Sequence, residues 1–365
     1  MFGDFYRGRR VLVTGHTGFK GAWLTHWLVS LGAEVRGYAL APQDDQPLHG
    51  WLGLDRRCDS RLGDVRDRDA LRATVREFRP EVVLHLAAQP LVRLSYSQPI
   101  ETIETNVMGT ANLLEAVRQE APLAAVLVVT SDKCYENRER PEGYREDEPM
   151  GGHDPYSASK GMTELLVASW RRSYHHAPGS APLSSGRAGN VIGGGDFSLD
   201  RIIPDCVRAL SSASSVVIRN RRATRPWQHV LEPLAGYLWL SACMARPELS
   251  RKPGRLREGF NFGPRGESAR PVGELVDEFL RHWPGQAEDK TDPTAPHEAG
   301  LLHLDIAKAA DVLGWKPVWD FAATVRVTAE WYRERHAGSL PAALCDRDIS
   351  LYCRDAVAAG LPWAR

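Results

Sequence analysis

Arg10-Val11-Leu12-Val13-Thr14-Gly15-His16-Thr17-Gly18-Phe19-Lys20-Gly21 is the stretch that decides the fold. Its apolar run Val11-Leu12-Val13 reads as a short strand buried on both faces, and Gly15, Gly18 and Gly21 turn that strand directly into a helical pattern ending near Leu31. Bare backbone at the three glycines admits a pyrophosphate, which the free N–H groups and dipole of a helix N-terminus stabilise. A glycine triplet alone is more often structural. Its place after the first strand makes it a dinucleotide-binding turn.

Outward from this turn the first half keeps the same rhythm. Apolar runs at Glu34 to Ala39, Val82 to Ala87 and Ala125 to Thr130 alternate with helical spacing at Ala70 to Phe78 and Thr105 to Glu120. This predicts an α/β fold, a Rossmann-type doubly wound parallel sheet with a smaller C-terminal substrate-binding region. Residues 1–186, joined by roughly 226–262, are expected to form the nucleotide-binding domain. Residues 187–225 and 263–365 are expected to form the substrate-binding region. After Gly186 the pattern loosens, and the tail beyond Ala337 has no reading. Trp23 and Trp27, four apart, are expected in the core.

The chain has 46 basic and 46 acidic residues, so no global field draws it to nucleic acid or anionic lipid. The N-terminal stretch meets a strand pattern within ten residues and lacks the long apolar run that a signal peptide or membrane span requires. The 6 cysteines lack a C-x-x-C pair, which argues against a disulfide framework and a zinc site. A cytoplasmic protein without a metal is expected.

For the cofactor, Asp64-Val65 stands where a carboxylate could accept an adenine amino group, and Leu86-Ala87-Ala88-Gln89 ends a strand with small residues beside the cofactor; the other reading of either segment is loop and packing. The second strand ends Gly37-Tyr38-Ala39-Leu40 without the acid that receives ribose hydroxyls, and Asp44 and Asp45 come later than expected. NAD is preferred, with NADP left open because Arg36 could meet a phosphate. Tyr156 and Lys160, four apart, share a helix face, and an ammonium beside a phenol favours the phenolate, an exchanger of protons with a sugar hydroxyl. Ser131 follows a strand and could hydrogen-bond the same oxygen.

The ordered set of glycine turn, strand-ending serine and Tyr-Lys pair resembles the extended short-chain dehydrogenase/reductase family over nearly the whole chain. Within it, Thr14 to Gly21, Ala88-Gln89-Pro90-Leu91-Val92-Arg93, Ser131-Asp132-Lys133-Cys134-Tyr135, Arg187 to Asp196 and Arg225 to Val230 are similar to nucleotide-sugar 4,6-dehydratases of the CDP-glucose type. The resemblance implies redox-neutral dehydration of CDP-glucose to a 4-keto-6-deoxy sugar, with Thr17 and Phe19 added to the cofactor turn. It implies Tyr156, Lys160 and Ser131 at C4, Asp132 as acid for the C6 hydroxyl and Lys133 as base at C5. Lysine departs from the Asp-Glu pair of dTDP-glucose dehydratases and needs burial or a cationic neighbour to act as a base. The bland reading makes Asp132 and Lys133 a surface ion pair.

A diphosphate calls for forked donors, so Arg187, Arg219 and Arg225 are candidates, with Asn190 beside them. Gln89 and Arg93 either border the substrate or order the loop after the strand. His229 is expected to be structural. His297-Glu298, Asp305 and Lys308-Ala309 resemble the segment near which family members hold the nucleotide base. A homodimer or dimer of dimers is usual for such relatives. An epimerase, a dehydratase of another NDP-hexose and a non-enzymatic dinucleotide sensor stay open.

Overall fold

The computed structural model describes every residue except 44–45, 178, 199–200 and 292–301. Seven strands form one sheet: β1 (Arg10–Thr14), β2 (Glu34–Ala39), β3 (Asp59–Leu62), β4 (Val82–His85), β5 (Ala125–Val129), β6 (Leu183–Ala188) and β7 (Gly259–Phe262). Their spatial order is β7-β6-β5-β4-β1-β2-β3, and every pairing is parallel. The order reverses between β1 and β4, which opens a crevice beyond the strand ends.

Alternation along the strands assigns the layers. Val11, Val13, Leu84 and Leu127 face α1 (Phe19–Ser30). Leu12, Val83, Val126 and Val128 face α2 (Arg68–Phe78), α3 (Gly109–Glu120) and α4 (Pro155–Tyr174). A sheet covered on both sides needs no polar face, which is why its strands read as unbroken apolar runs.

The second half adds α5 (Ile202–Ser211), α6 (Leu231–Ala245), α7 (Val272–His282), α8 (Ala307–Leu313), α9 (Phe321–His336) and α10 (Pro341–Ala358). The tail that has no sequence reading is α10 and the turn after it. Trp363 stacks on Phe2 at 5.3 Å and on Tyr352 at 5.5 Å, and Trp27 meets Phe2, Tyr352 and Trp363 edge-on. The tail therefore closes the core behind the glycine-turn helix. Trp23 and Trp27 are buried, as expected.

Candidate active site

The glycine turn is shaped by its packing. Gly15 has φ +76°, and a Cβ there would lie 2.7 Å from Ala87 N, while one at Gly21 would lie 2.0 Å from Gly15 O. At Gly18 the nearest atoms to a Cβ are Gln46 Oε1 at 3.4 Å and Gly15 O at 3.6 Å, ordinary contact distances, so packing alone does not demand glycine here. Gly18 caps α1 without a side-chain bond, leaving the first helix N–H groups to a ligand. The turn therefore fits a dinucleotide pyrophosphate. Thr17 donates to Leu40 O at 3.0 Å, and Phe19 packs inward.

Around the turn, Leu86 N and Ala87 N bond to Thr14, and Leu86, Ala87 and Ala88 are half-buried. Val65 is buried against Gly109. The Asp64 carboxylate is taken by Arg66 at 2.6 Å, which holds it below the usual carboxylate range. Arg36 is bound to Asp59 at 2.6 Å and to Glu77, and its guanidinium lies 4.8 Å from the Phe78 ring centre. That corrects the expectation of a phosphate partner: position 36 points into the α2 layer. Asp44 and Asp45 lie outside the described residues.

The end of β5 meets the start of α4. A Cβ on Gly161 would stand 3.2 Å from Cys134 O and 2.5 Å from Gly151 O, so the helix rests against the turn carrying Asp132 and Lys133. Asp154 caps α4, accepting from Ser157 N at 2.9 Å, which sets the helical phase presenting Tyr156 and Lys160. Ser131 caps the next turn, accepting from Lys133 N at 3.3 Å and donating to Asp132 Oδ1 at 2.8 Å. Asp132 is buried, with Oδ2 against Gly189, and is not a surface ion pair.

Lys160 Nζ stands 5.8 Å from the Tyr156 ring centre. Burial pushes the phenol up to about 12, opposed by Ser131 and Arg201. Burial also brings Lys160 down to about 8. Burial thus works against the expected acidic phenol, and the groups that counter it here are the Ser131 hydroxyl and the Arg201 charge.

Several predicted contacts are placed elsewhere. Arg187 is a correction: buried, it donates to Glu164 at 2.8 Å and to the Tyr135 hydroxyl at 2.6 Å, because β6 turns Ser185 and Arg187 toward α4. Gln89 receives Leu91 N at 2.5 Å and donates to Thr102 at 2.9 Å, the loop-ordering role. Arg93 is exposed. Arg219 pairs with Asp205 at 2.6 Å, Arg225 donates to Thr224 O at 2.9 Å, and Asn190 is half-buried past β6. Lys308 donates to Gly259 O at 2.7 Å and pairs with Glu258, and Asp305 joins the Tyr144 bridge. Both border a separate cavity of about 640 Å³ beside α4 and α8. His297 and Glu298 lie outside the described residues. His229 is buried between Trp23 and Trp319 and held neutral at about 3 by burial.

Two basic residues that sequence reasoning missed enter the centre. Arg201 bonds to Asp196 at 2.7 Å and acts on Tyr156 through its charge. Asp196 is itself fixed by the Tyr332 hydroxyl, which donates to its carbonyl at 2.6 Å and accepts from its N–H at 2.9 Å. Lys20, in the glycine turn, lies among Arg201, Asp132, Lys160 and Lys133 and is brought down to about 8, first by burial and then by Arg201. Its only sequence signal is a lysine between Phe19 and Gly21 inside the glycine turn. Among the described residues no group of three His, Cys, Asp or Glu side chains is arranged to hold a metal.

A parallel sheet reversing at β1, a glycine turn at its crevice and a Tyr-Lys pair facing a strand-ending serine define an extended short-chain dehydrogenase/reductase. The chain belongs to the GDP-mannose 4,6 dehydratase family, whose profile matches residues 12–328. It is 47% identical to the CDP-glucose 4,6-dehydratase of Salmonella typhimurium, over 96% of this chain and 97% of the relative. It is 30% identical to the dTDP-glucose 4,6-dehydratase of Streptomyces antibioticus, over 90% and 93%. Among solved structures, the dTDP-glucose 4,6-dehydratase of Streptomyces venezuelae with NAD bound superposes with a TM-score of 0.74 at 24% identity, over 91% and 99%. The Thermotoga maritima UDP-glucose 4-epimerase gives 0.73 at 21%, over 89% and 99%. At these identities the structures speak for the fold.

Proposed function

We propose that this protein is an NAD-dependent enzyme that dehydrates CDP-D-glucose to CDP-4-keto-6-deoxy-D-glucose without net oxidation. The observation that carries the reading is the meeting of Ser131, Asp132 and Lys133 with Tyr156 and Lys160 beside the glycine turn. Support for the substrate comes from the 47% identity to a CDP-glucose 4,6-dehydratase.

Bound NAD supplies a place to store a hydride taken from C4 and given back at C6. The other steps fall to this chain. Tyr156 takes the O4 proton as its phenolate, which the Ser131 hydroxyl and the Arg201 charge stabilise against the burial that otherwise holds it at about 12. The resulting 4-ketone acidifies C5–H. Lys133, half-exposed at the mouth of the crevice, removes that proton and afterwards returns one to C5, and Asp132 gives one to the departing C6 hydroxyl, which leaves as water. NAD is favoured over NADP because Arg36 is already engaged with Asp59 and Glu77.

In this reading residues 1–186 with 226–262 hold the cofactor, and 187–225 with 263–365 hold the sugar nucleotide. Asn190, Arg93, Arg219 and Arg225 remain candidates there. A homodimer through neighbouring helices is supported by exposed Tyr96, Ile100, Met108, Met162 and Leu165. A cytoplasmic setting is supported by 6 free cysteines, and no helix among the described residues is long and apolar enough to cross a membrane.

Incubation with CDP-, dTDP-, GDP- and UDP-glucose, followed by assay for a 4-keto product, tests the reading. The expected result is product from CDP-glucose without accumulating NADH. Steady NADH formation, or activity in Asp132→Asn equal to wild type, would overturn it in favour of a simple dehydrogenase or an epimerase.

A further inference from the structure

We propose that Gln46 is a ligand of the bound dinucleotide, its carboxamide donating to a pyrophosphate oxygen beside Gly18. The inference rests on the reading above that a nicotinamide dinucleotide occupies the glycine turn, and it adds a contact from outside that turn.

The segment after β2 runs back over the turn. Leu40 O accepts from the Thr17 hydroxyl at 3.0 Å, and further along Gln46 Oε1 stands 3.4 Å from where a Cβ on Gly18 would lie. Gln46 is half-buried and held from both sides. Its N–H donates to Gln43 O at 2.8 Å, and through Pro47 it leads into the helical turn Leu48–Trp51. That turn is anchored to the body of the protein. Leu48 fills the notch at Gly195, where a Cβ would lie 2.7 Å from Leu48 Cδ1. His49 is buried edge-on to His16 at 5.1 Å, and Trp51 meets Phe197 at 5.6 Å. The backbone at Gln46 is thus placed by its neighbours, while no hydrogen bond joins its carboxamide to another described residue.

A pyrophosphate entering here meets the free N–H groups of α1, which Gly18 caps without a side-chain bond. Those donors serve one side of the anion. Gln46 approaches from the segment that overlies the turn, and a half-turn of its carboxamide exchanges Oε1 for Nε2, which aims an N–H at a non-bridging phosphate oxygen. A hydrogen bond to such a charged acceptor is stronger than one between neutral groups. A carboxylate in the same place would repel the phosphates, and an aliphatic side chain would offer them nothing. The pyrophosphate is common to NAD and NADH, so this contact holds the cofactor equally in both redox states.

The test is calorimetric titration with NAD and with NADH, without sugar, on wild type, Gln46→Leu, Gln46→Lys and Gln46→Glu. Gln46→Leu is expected to weaken both cofactors equally, by roughly tenfold. Gln46→Glu should weaken them further through like-charge repulsion, and Gln46→Lys should bind at least as tightly as wild type. ADP-ribose, which keeps the pyrophosphate and lacks the nicotinamide, follows the same order, while adenosine binds all four proteins alike. Unchanged affinity in Gln46→Leu overturns the proposal. So does an equal loss in all three variants, which would mark Gln46 as loop packing. Failure of the functional reading looks different. Wild type that binds neither cofactor overturns both readings, whereas wild type that binds them yet makes no 4-keto sugar overturns the dehydratase alone.

Discussion

Two regions share α4 and use the same kinds of charged residue to opposite ends. One turn beyond Lys160, Glu164 receives Arg187 at 2.8 Å and Ser185 at 2.8 Å, Arg187 also donates to Tyr135, and Tyr135 donates to Asn261 at 2.8 Å. In front, the ammoniums of Lys20, Lys133 and Lys160 close onto no described hydrogen-bond or ion-pair partner. A buried charge that the protein itself satisfies holds the fold together, and one left open is poised for a ligand.

The sharpest way to break this comparison is to open the closed region. Glu164→Leu strands Arg187 in the core, and a loss of about 3–5 kcal/mol is expected in urea unfolding, with KM for CDP-glucose unchanged in the folded fraction. A loss below about 1 kcal/mol would mean the pair is no keystone. The converse change is Asp132→Asn, which keeps shape and hydrogen bonding but removes the acid. Its kcat is expected to fall about a hundredfold to a thousandfold while the unfolding midpoint stays within error.

The open region was partly legible in the sequence because its signals are local. Parallel strands buried on both faces read as apolar runs, and Tyr156 with Lys160 is a pattern of one helical turn. The closed region was not legible, because nothing near Arg187 announces Glu164, brought to it only by packing α4 over β6. Arg187 was accordingly read as a substrate contact. Burial was the other blind spot: the spacing of Tyr156 and Lys160 suggested an acidic phenol, and desolvation raises it instead. The tail had apolar residues at Leu344, Ile349 and Tyr352, but its target is Phe2 and Trp27 at the other end of the chain. Lys20 was missed because it stands in a turn read for its glycines, and Arg201 because it stands outside every motif the sequence offered.

The tail takes part in a third buried arrangement, in which Glu232 is closed by neutral donors and Asp348 by Arg347 at 2.9 Å. Glu232 accepts from Trp319 N at 2.7 Å, Val318 N at 3.0 Å and the Tyr352 hydroxyl at 2.6 Å, and burial pushes it up to about 7. Asp348, buried beside Arg347, is likewise pushed up to about 7. A carboxyl raised on folding binds its proton more tightly in the native state. Its stabilising contribution is complete below the ordinary value near 4.5, falls as pH climbs to about 7, and is level above that. Glu232→Gln is expected to remove on the order of 2 kcal/mol of this decline. Thermal midpoints between pH 5 and 8 would show it as a flatter profile, and an unchanged slope would assign the titration to Asp348 alone.

The smallest expected effect refines what an open region is. Gly18 has extended backbone (φ −75°, ψ 170°), which alanine adopts freely, and its Cβ would meet only Gln46 Oε1 at 3.4 Å and Gly15 O at 3.6 Å. Gly18→Ala should therefore leave stability unchanged or slightly raised by the loss of unfolded-state freedom. The added methyl stands where a pyrophosphate must approach, and NAD is expected to bind about tenfold more weakly, close to 1.4 kcal/mol. Calorimetric titration beside a melting curve separates the two quantities. Equal affinity would mean that the phosphates enter elsewhere, and that the space at Gly18 is packing slack rather than part of the crevice.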